Sequence, residues 1–211
     1  MARKKLTRNP NETILVVTAN EANALFFSQM RKDCRYSNMN VDTVLDAKDL
    51  HDFIAKVARM RNKGGFTDAW AVFDFADFNL TADQVKAEQP FAAQKKVNLG
   101  WNNPSQSLWY LLHFQTPRAF VADKAAFEQA MDKVVPGYAP TAQYFLTDGI
   151  AFHISLFPSL SKAANGASLY NTLAGVKTGL DATNMVLLVN DITRVCGKAD
   201  ITHNQRQLGR R

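Results

Sequence analysis

Two short apolar runs decide how this chain folds: Thr13-Ile-Leu-Val-Val-Thr18 and Asp68-Ala-Trp-Ala-Val-Phe-Asp74. Each is the length of one strand, and the first is rich in β-branched side chains. Continuous apolar runs of this kind are typical of parallel strands that are buried on both faces. The sequence therefore predicts that both runs lie inside a sheet covered by helices.

The segment between the two runs supplies a further strand and two helices. Asn20 is a suitable cap for a helix over 21–34, and residues 40–45 follow as a strand. After Asp46 comes an amphipathic helix that Gly64-Gly65 ends. Its apolar face has helical spacing and comprises Leu50, Phe53, Ile54 and Val57. The resulting order, β-α-β-α-β, predicts a parallel sheet with right-handed crossovers.

The rest of the chain is expected to become mostly helical. Thr81 caps a helix that we end at Glu88, residues 96–99 form a strand, and residues 105–114 form an apolar helix with Pro104 at its first turn. Beyond Pro117 strand-like runs stop. The remaining helical or ambiguous segments are 122–134, 141–157 and 184–195, separated by Pro136-Gly137 and by a loop at Asn165-Gly166.

These patterns predict an α/β fold and four regions. Residues 12–116 form the α/β domain, and residues 117–200 form a mostly helical C-terminal extension. Residues 1–11 and 201–211 are basic terminal segments, and the first is expected to be flexible. Residues 1–8 hold four basic side chains and residues 206–211 hold three, with no acidic residue in either, so the body of the chain is close to neutral despite a net charge of +6.

Composition excludes several classes of protein. The 211 residues are 46% hydrophobic and 21% charged, which excludes wholesale disorder, and 10 glycines exclude a collagen repeat. No apolar run approaches the ~20 residues of a membrane span, and no signal peptide is recognisable. The two cysteines and four histidines are dispersed, which disfavours a disulfide scaffold or a zinc site. We expect a soluble, cytoplasmic protein in a reducing compartment.

Acidic residues follow two of the predicted strands. Glu21 comes just after the first strand, while Asp74 ends the third and Asp77 lies three residues further on. Because the carboxyl ends of parallel strands meet at one edge of a sheet, these carboxylates are candidates to hold Mg²⁺ and to activate water against a phosphodiester. The alternative is local: Glu21 opens a helix, and Asp74 and Asp77 form an Asx turn.

Three segments carry a resemblance to a known family. They are Ile14-Leu-Val-Val-Thr18 with its Glu-bearing loop, Trp70-Ala-Val-Phe-Asp-Phe-Ala-Asp-Phe78, and Asn102-Asn-Pro-Ser-Gln-Ser-Leu-Trp-Tyr-Leu-Leu-His-Phe114. Together they resemble the RloB-like proteins of the Toprim superfamily, which also includes topoisomerases, primases and OLD-type nucleases. The third is the most specific. The resemblance covers residues 12–116 well. The remainder resembles the family only in its helical character and in a late stretch, Ala182-Thr-Asn-Met185.

The resemblance implies a Toprim-like parallel sheet flanked by helices, with Mg²⁺ (or Mn²⁺) held by a Glu after the first strand and an Asp-x-Asp after the third. It also implies bacterial phage defence, since RloB-like genes occur in restriction-modification clusters and one encodes the partner of an ATPase in an abortive-infection pair. Nuclease activity is the usual inference. In this sequence the residues that correspond to the metal ligands of the family are Glu21, Asp74 and Asp77. His113 matches the Leu-Leu-His-Phe motif and joins them as a candidate catalytic residue.

The chain departs from the family pattern at several acidic positions. The usual Glu-Gly of the first loop reads Ala19-Asn20, and the Thr-Glu that follows reads Asn23-Ala24. The Asp-x-Asp-Asp pattern is reduced to Asp74-Phe-Ala-Asp77, and a frequent Phe-Glu reads Gln106-Ser107. Two functions therefore stay open: a metal-dependent nuclease acting on DNA or RNA, or a non-catalytic interaction subunit that docks on an ATPase through its helical half.

Several other residues have competing interpretations. His113 either positions a phosphate or is a hydrogen-bonded core residue, and Trp101 and Trp109 are expected to pack. Basic side chains of the first two helices are candidates for nucleic-acid contacts, the alternative being a solvated surface. They are Arg31, Lys32, Arg59 and Arg61. The Gly175-Val-Lys-Thr178 tract lacks the glycine and the strand of a phosphate loop, so we reject it as one. Oligomeric state is left open.

Overall fold

A four-stranded parallel sheet forms the centre of the protein in the computed structural model, which describes residues 12–199. The strands lie in the order β2-β1-β3-β4. Their bounds are β1 Ile14–Thr18, β2 Met39–Thr43, β3 Asp68–Asp74 and β4 Asn98–Asn102. The two runs that we selected from the sequence are the two central strands. The predicted terminal segments, 1–11 and 201–211, lie outside the described residues.

Ten α-helices flank and extend this sheet within residues 12–199. Their bounds are α1 Glu21–Asp33, α2 Leu50–Gly64, α3 Phe75–Phe78, α4 Ala82–Gln94, α5 Gln106–Leu112, α6 Lys124–Val134, α7 Ala142–Leu146, α8 Phe152–Leu156, α9 Leu160–Thr178 and α10 Met185–Cys196. The prediction of an α/β fold with a helical C-terminal region is confirmed, and the arrangement is consistent with a Toprim-like sheet. None of the described helices is long and apolar enough to cross a bilayer.

Alternation along the strands gives the sheet two separate cores. Ile14 and Val16 of β1 point to a core built with α1, α5 and the later helices, whereas Leu15 and Val17 point to a core built with α2 and α4. Tyr170 of α9, in the C-terminal region, belongs to the first core. The helical region therefore shares its core with one face of the sheet, and the boundary near residue 117 stays a prediction.

The free edge of β4 is covered by the segment that precedes α10. Thr183 forms an antiparallel bridge with Asn102. The side chain of Asn184 makes the hydrogen bonds that a neighbouring strand would make. Its Oδ1 accepts from the Trp101 backbone N at 2.7 Å, and its Nδ2 donates to the Leu99 backbone O at 2.7 Å. Both groups of this amide thus satisfy strand backbone that would otherwise be unpaired.

Helix and strand ends differ from the sequence predictions at several places. The strand predicted at 96–99 begins and ends later, because the pairing of β4 with β3 continues to Asn102 opposite Asp74. The helix that we ended at Glu88 continues through Pro90, which is exposed, to Gln94. Pro104 lies before α5 rather than in its first turn, after a cis Asn103–Pro104 bond.

The predicted loop at Asn165-Gly166 is wrong, because both residues lie inside the 19-residue helix α9. A Cβ added to Gly166 would lie 2.7 Å from Thr116 Oγ1 and 3.2 Å from Leu112 Cδ2. The glycine therefore allows α9 to approach the end of α5 closely and does not mark a turn. The same helix contains the Gly175–Thr178 tract, whose rejection as a phosphate loop is confirmed.

The segment 141–157, which the sequence left ambiguous, consists of two short helices, α7 and α8. Gln29 of α1 fixes the break between them. Its Nε2 donates to the backbone O of Phe145 at 3.1 Å and of Gly149 at 2.8 Å, and its Oε1 accepts from the His153 backbone N at 3.1 Å. One buried side chain thus satisfies three backbone groups at the two helix ends.

Candidate functional site

A cavity of about 370 Å³ lies at the carboxyl edge of the sheet and contains all three acidic residues chosen from the sequence. Glu21 comes from the first turn of α1, Asp74 from the end of β3, and Asp77 from α3. The structure thus brings the three residues to one cavity, and their role as metal ligands stays a prediction. Tyr110, Tyr138 and Phe145 provide the aromatic part of the wall.

Asp74 is the most enclosed of the three, with only 6% of its surface exposed. Two side-chain amides point their N–H groups at it: Asn23 Nδ2 lies 3.3 Å from Oδ2, and Asn102 Nδ2 lies 3.4 Å from Oδ1. Burial, and then the nearby charge of Asp77, raise the pKa of Asp74 from 3.8 to about 8. Burial thus favours the uncharged carboxyl group, while the amide N–H groups of Asn23 and Asn102 favour the charged one.

Asp77 is occupied by local hydrogen bonds. Its Oδ2 accepts from the Asp74 backbone N at 2.8 Å, and both of its oxygens accept from Asn20 Nδ2 at 3.1 Å. Burial raises the pKa of Asp77 as well, although these hydrogen bonds oppose the rise. The local alternative from the sequence, in which Asp74 and Asp77 stabilise a turn and Glu21 opens a helix, thus describes the observed conformation.

The donor set around the cavity does not fit Mg²⁺. This ion takes oxygen ligands, and those that the protein supplies are usually anionic carboxylates. Here the carboxyl groups of Asp74 and Asp77 both face amide N–H donors, and Glu21 is exposed at the start of α1. Among residues 12–199, no group of three or more His, Cys, Asp or Glu side chains is placed to hold a metal ion.

A buried chain of polar side chains supports Asp74, and sequence reasoning missed it. The Thr183 hydroxyl donates to Asn102 Oδ1 at 2.7 Å, and Asn102 Nδ2 donates to Gln106 Oε1 at 2.9 Å as well as to Asp74. The sequence does place neutral amide residues after β1 and at the end of β4, at the same edge of the sheet as the acidic residues, and these amides could have indicated the chain.

Three buried polar atoms next to this chain have no hydrogen-bond partner within the described residues. They are Ser105 Oγ, Gln106 Nε2 and Tyr110 OH. Each of these residues lines the cavity. Buried polar atoms without a partner are uncommon in folded proteins, so this part of the wall is not an optimised structural core.

His113 is not brought to the acidic cavity. It lies past the end of α5, only 4% exposed, with its ring edge-on to Trp109 and its Nδ1 3.0 Å from the Trp109 backbone O. Burial lowers its pKa to about 4. The core interpretation of this histidine is the one that its contacts support, and Trp101 and Trp109 are buried packing residues as expected.

The four basic residues chosen as candidate nucleic-acid contacts do not form one surface. Arg31 and Lys32 lie in the last turn of α1, and Arg59 and Arg61 lie in the second half of α2, on the opposite face of the sheet. Both helices begin near the carboxyl edge of the sheet, where the cavity lies. These residues belong to the later turns of the helices, away from that edge. Their role in binding phosphates stays a prediction.

Fold and cavity together define an α/β protein with a parallel sheet and a polar site where its strands end. A protein-family model described as "RloB-like protein" matches residues 14–192. Since the match spans most of the chain, the protein belongs to the RloB-like family. No curated protein and no solved structure gave a significant match.

Proposed function

We propose that this RloB-like chain serves bacterial phage defence in the cytoplasm as a non-catalytic subunit, descended from a metal-dependent nuclease, that docks on an ATPase partner. The observation that carries the proposal is the set of contacts around Asp74. Both oxygens of this buried carboxyl group face amide N–H donors, those of Asn23 and Asn102, where a metal ligand would face a cation, and burial raises its pKa.

The positions where the family pattern has acids add support. Ala19, at the position of the usual first-loop glutamate, lies in the cavity wall, and so does Ser107, at the position of the later glutamate. Ser107 has a new partner, since its Oγ lies 2.8 Å from Tyr138 OH. In an ungapped match to the family pattern, a methyl group and a hydroxyl engaged with a neighbour thus stand where that pattern has acids.

Exposed apolar side chains support docking through the helical half. Leu169 and Val176 of α9 are 66% and 83% exposed, and a spacing of seven residues puts them on one face of the helix. Three further large apolar residues are exposed in the C-terminal region, namely Leu146, Ile150 and Leu187. Apolar side chains grouped on an exposed face favour contact with another protein.

A metal-dependent nuclease is the second candidate, and one observation favours it. Glu21, Asp74 and Asp77 all line a single cavity at the edge where the family holds Mg²⁺. This candidate requires that Asp74 is ionised when the metal binds. It therefore predicts Mg²⁺- or Mn²⁺-dependent cleavage of DNA or RNA that the near-isosteric Asp74→Asn variant abolishes.

Plaque assays on cells that express the protein together with a candidate ATPase partner separate the two candidates. The non-catalytic subunit predicts that Asp74→Asn protects as well as wild type, and that purified protein cleaves no nucleic acid with either metal. Loss of protection by a folded Asp74→Asn variant, together with metal-dependent cleavage by wild type, would establish the nuclease instead.

A pair of surface variants tests the docking face. Leu169→Lys combined with Val176→Lys should abolish both protection and co-purification of the ATPase, because two charges replace the exposed apolar side chains. Ser168→Lys, at the neighbouring exposed position, is the matched control and should retain both. Full protection by the double variant would refute docking through this face.

A further inference from the structure

A second cavity, of about 350 Å³, lies on the helical side of the sheet and shares no lining residue with the acidic cavity. It is bounded by α1, α5, α8 and α10. Its wall is mostly apolar, with the aromatic rings of Phe26, Trp109 and Phe157 and the aliphatic side chains of Met30, Leu156 and Ile192. Its volume lies in the range of ligand pockets and far exceeds the space that a single water fills.

Two buried imidazoles interrupt this apolar wall: His113 and His153, each 4% exposed. Each uses the same ring nitrogen for support. Nδ1 of His113 lies 3.0 Å from the Trp109 backbone O, and Nδ1 of His153 lies 3.4 Å from Asp33 Oδ2. Within the described residues no hydrogen bond is made by Nε2 of either ring, so Nε2 is the nitrogen left for a ligand.

The state of His113 defines what such a ligand must offer. A carbonyl oxygen can only accept, so Nδ1 carries the proton that it shares with Trp109 O. Burial keeps this imidazole neutral, which makes Nε2 a hydrogen-bond acceptor. The cavity thus combines flat aromatic walls with a fixed, buried acceptor. Its one cationic side chain, Lys198, is exposed at the rim.

We propose that this cavity binds a small, uncharged aromatic molecule that carries one hydrogen-bond donor, of the phenol or indole type, with the donor directed at Nε2 of His113. A purely apolar occupant would leave the acceptor buried and unpaired, which is unfavourable. An anionic one would place its charge among mostly apolar side chains. The site is independent of the acidic cavity and of the function proposed for it.

Binding of simple probes to the full-length protein tests this assignment. Phenol, anisole, benzene and benzoate are titrated while the amide signals of residues around the cavity are followed by NMR. Phenol should bind about 2- to 10-fold more tightly than anisole or benzene, because only phenol donates a hydrogen bond. Equal affinity for phenol and anisole, tighter binding of benzoate, or no binding of any probe at millimolar concentration would overturn the proposal.

Two substitutions locate the site. His113→Phe should remove the preference for phenol over anisole, whereas His51→Phe, the same change at an exposed histidine of α2, should leave it intact. Val189→Phe, which fills the cavity, should abolish binding of every probe. If His113→Phe does not fold, the comparison of phenol with anisole on wild-type protein still decides the question. Probe binding that survives Val189→Phe would place the site elsewhere.

Discussion

Asp74→Asn should change how the stability of the protein depends on pH. In the folded state the pKa of Asp74 is raised from 3.8 to about 8, with burial as the main cause. Since one pKa unit corresponds to about 1.4 kcal/mol, ionising this group in the folded protein costs on the order of 5 kcal/mol. Asparagine has nearly the same shape and does not titrate, so the variant escapes that cost. Its Nδ2 cannot accept the hydrogen bond that one Asp74 oxygen accepts, which lowers the stability of the variant by a similar amount at every pH.

The sign follows from linkage between protonation and folding. An acid whose folded pKa is raised contributes most below its unfolded pKa, and the contribution is lost as pH rises towards the folded pKa. Between pH ~4 and pH ~8, the unfolding free energy of wild type should therefore fall relative to that of Asp74→Asn by up to about 1.4 kcal/mol per pH unit. From pH 5 to pH 8 the unfolding free energy of the variant should therefore rise by several kcal/mol relative to that of wild type.

Urea denaturation of both proteins at pH 5, 6, 7 and 8 measures this difference. Asp83→Asn is the matched control, because it makes the same chemical change at a side chain that is 91% exposed. We expect its stability to follow wild type at every pH. The assignment of a raised pKa to Asp74 would be refuted if the unfolding free energies of wild type and Asp74→Asn changed with pH in parallel. It would also be refuted if wild type gained stability relative to the variant as pH rises.

Two further substitutions test how the helical half is attached to the sheet. Gln29→Ala removes three hydrogen bonds at the ends of α7 and α8, although Gly149 O still accepts from Phe152 N. It should lower the unfolding free energy by about 2–4 kcal/mol in urea denaturation, whereas Ser28→Ala on the exposed side of α1 should change it by less than about 0.5 kcal/mol. Asn184→Ala removes two of the hydrogen bonds that cover the edge of β4 and should cost about 2–3 kcal/mol, with faster hydrogen exchange at the Trp101 amide. A loss below about 0.5 kcal/mol in either case would show that these amides are not needed for attachment.

The central strands and the amphipathic helix were predictable because the pattern of apolar residues within each segment is enough to indicate its structure. The run from Ile14 to Thr18 is buried along its whole length, and Leu50, Phe53, Ile54 and Val57 are buried on one face of α2. The length of α9 was not predictable. Gly166 resembles a loop residue by composition, and only its contact with Thr116 and Leu112 shows why a glycine is needed inside a helix.

The position of the site was predictable, but its chemistry was not. Parallel topology was enough to bring Glu21, Asp74 and Asp77 to one cavity. The protonation state of Asp74 depends on burial and on amides that come from distant parts of the chain, Asn23 and Asn102, and the second of these is held by Thr183. Likewise, His113 matches a motif, but its side chain joins a different cavity from the acidic residues.

The carboxyl ¹³C signal of Asp74, followed by NMR over pH and with and without Mg²⁺, tests the account most directly. We expect a titration midpoint well above the ordinary value for an aspartate and unchanged by millimolar Mg²⁺. A midpoint at or below the ordinary value, moved further down by Mg²⁺, would show an ionised metal ligand and would contradict the account.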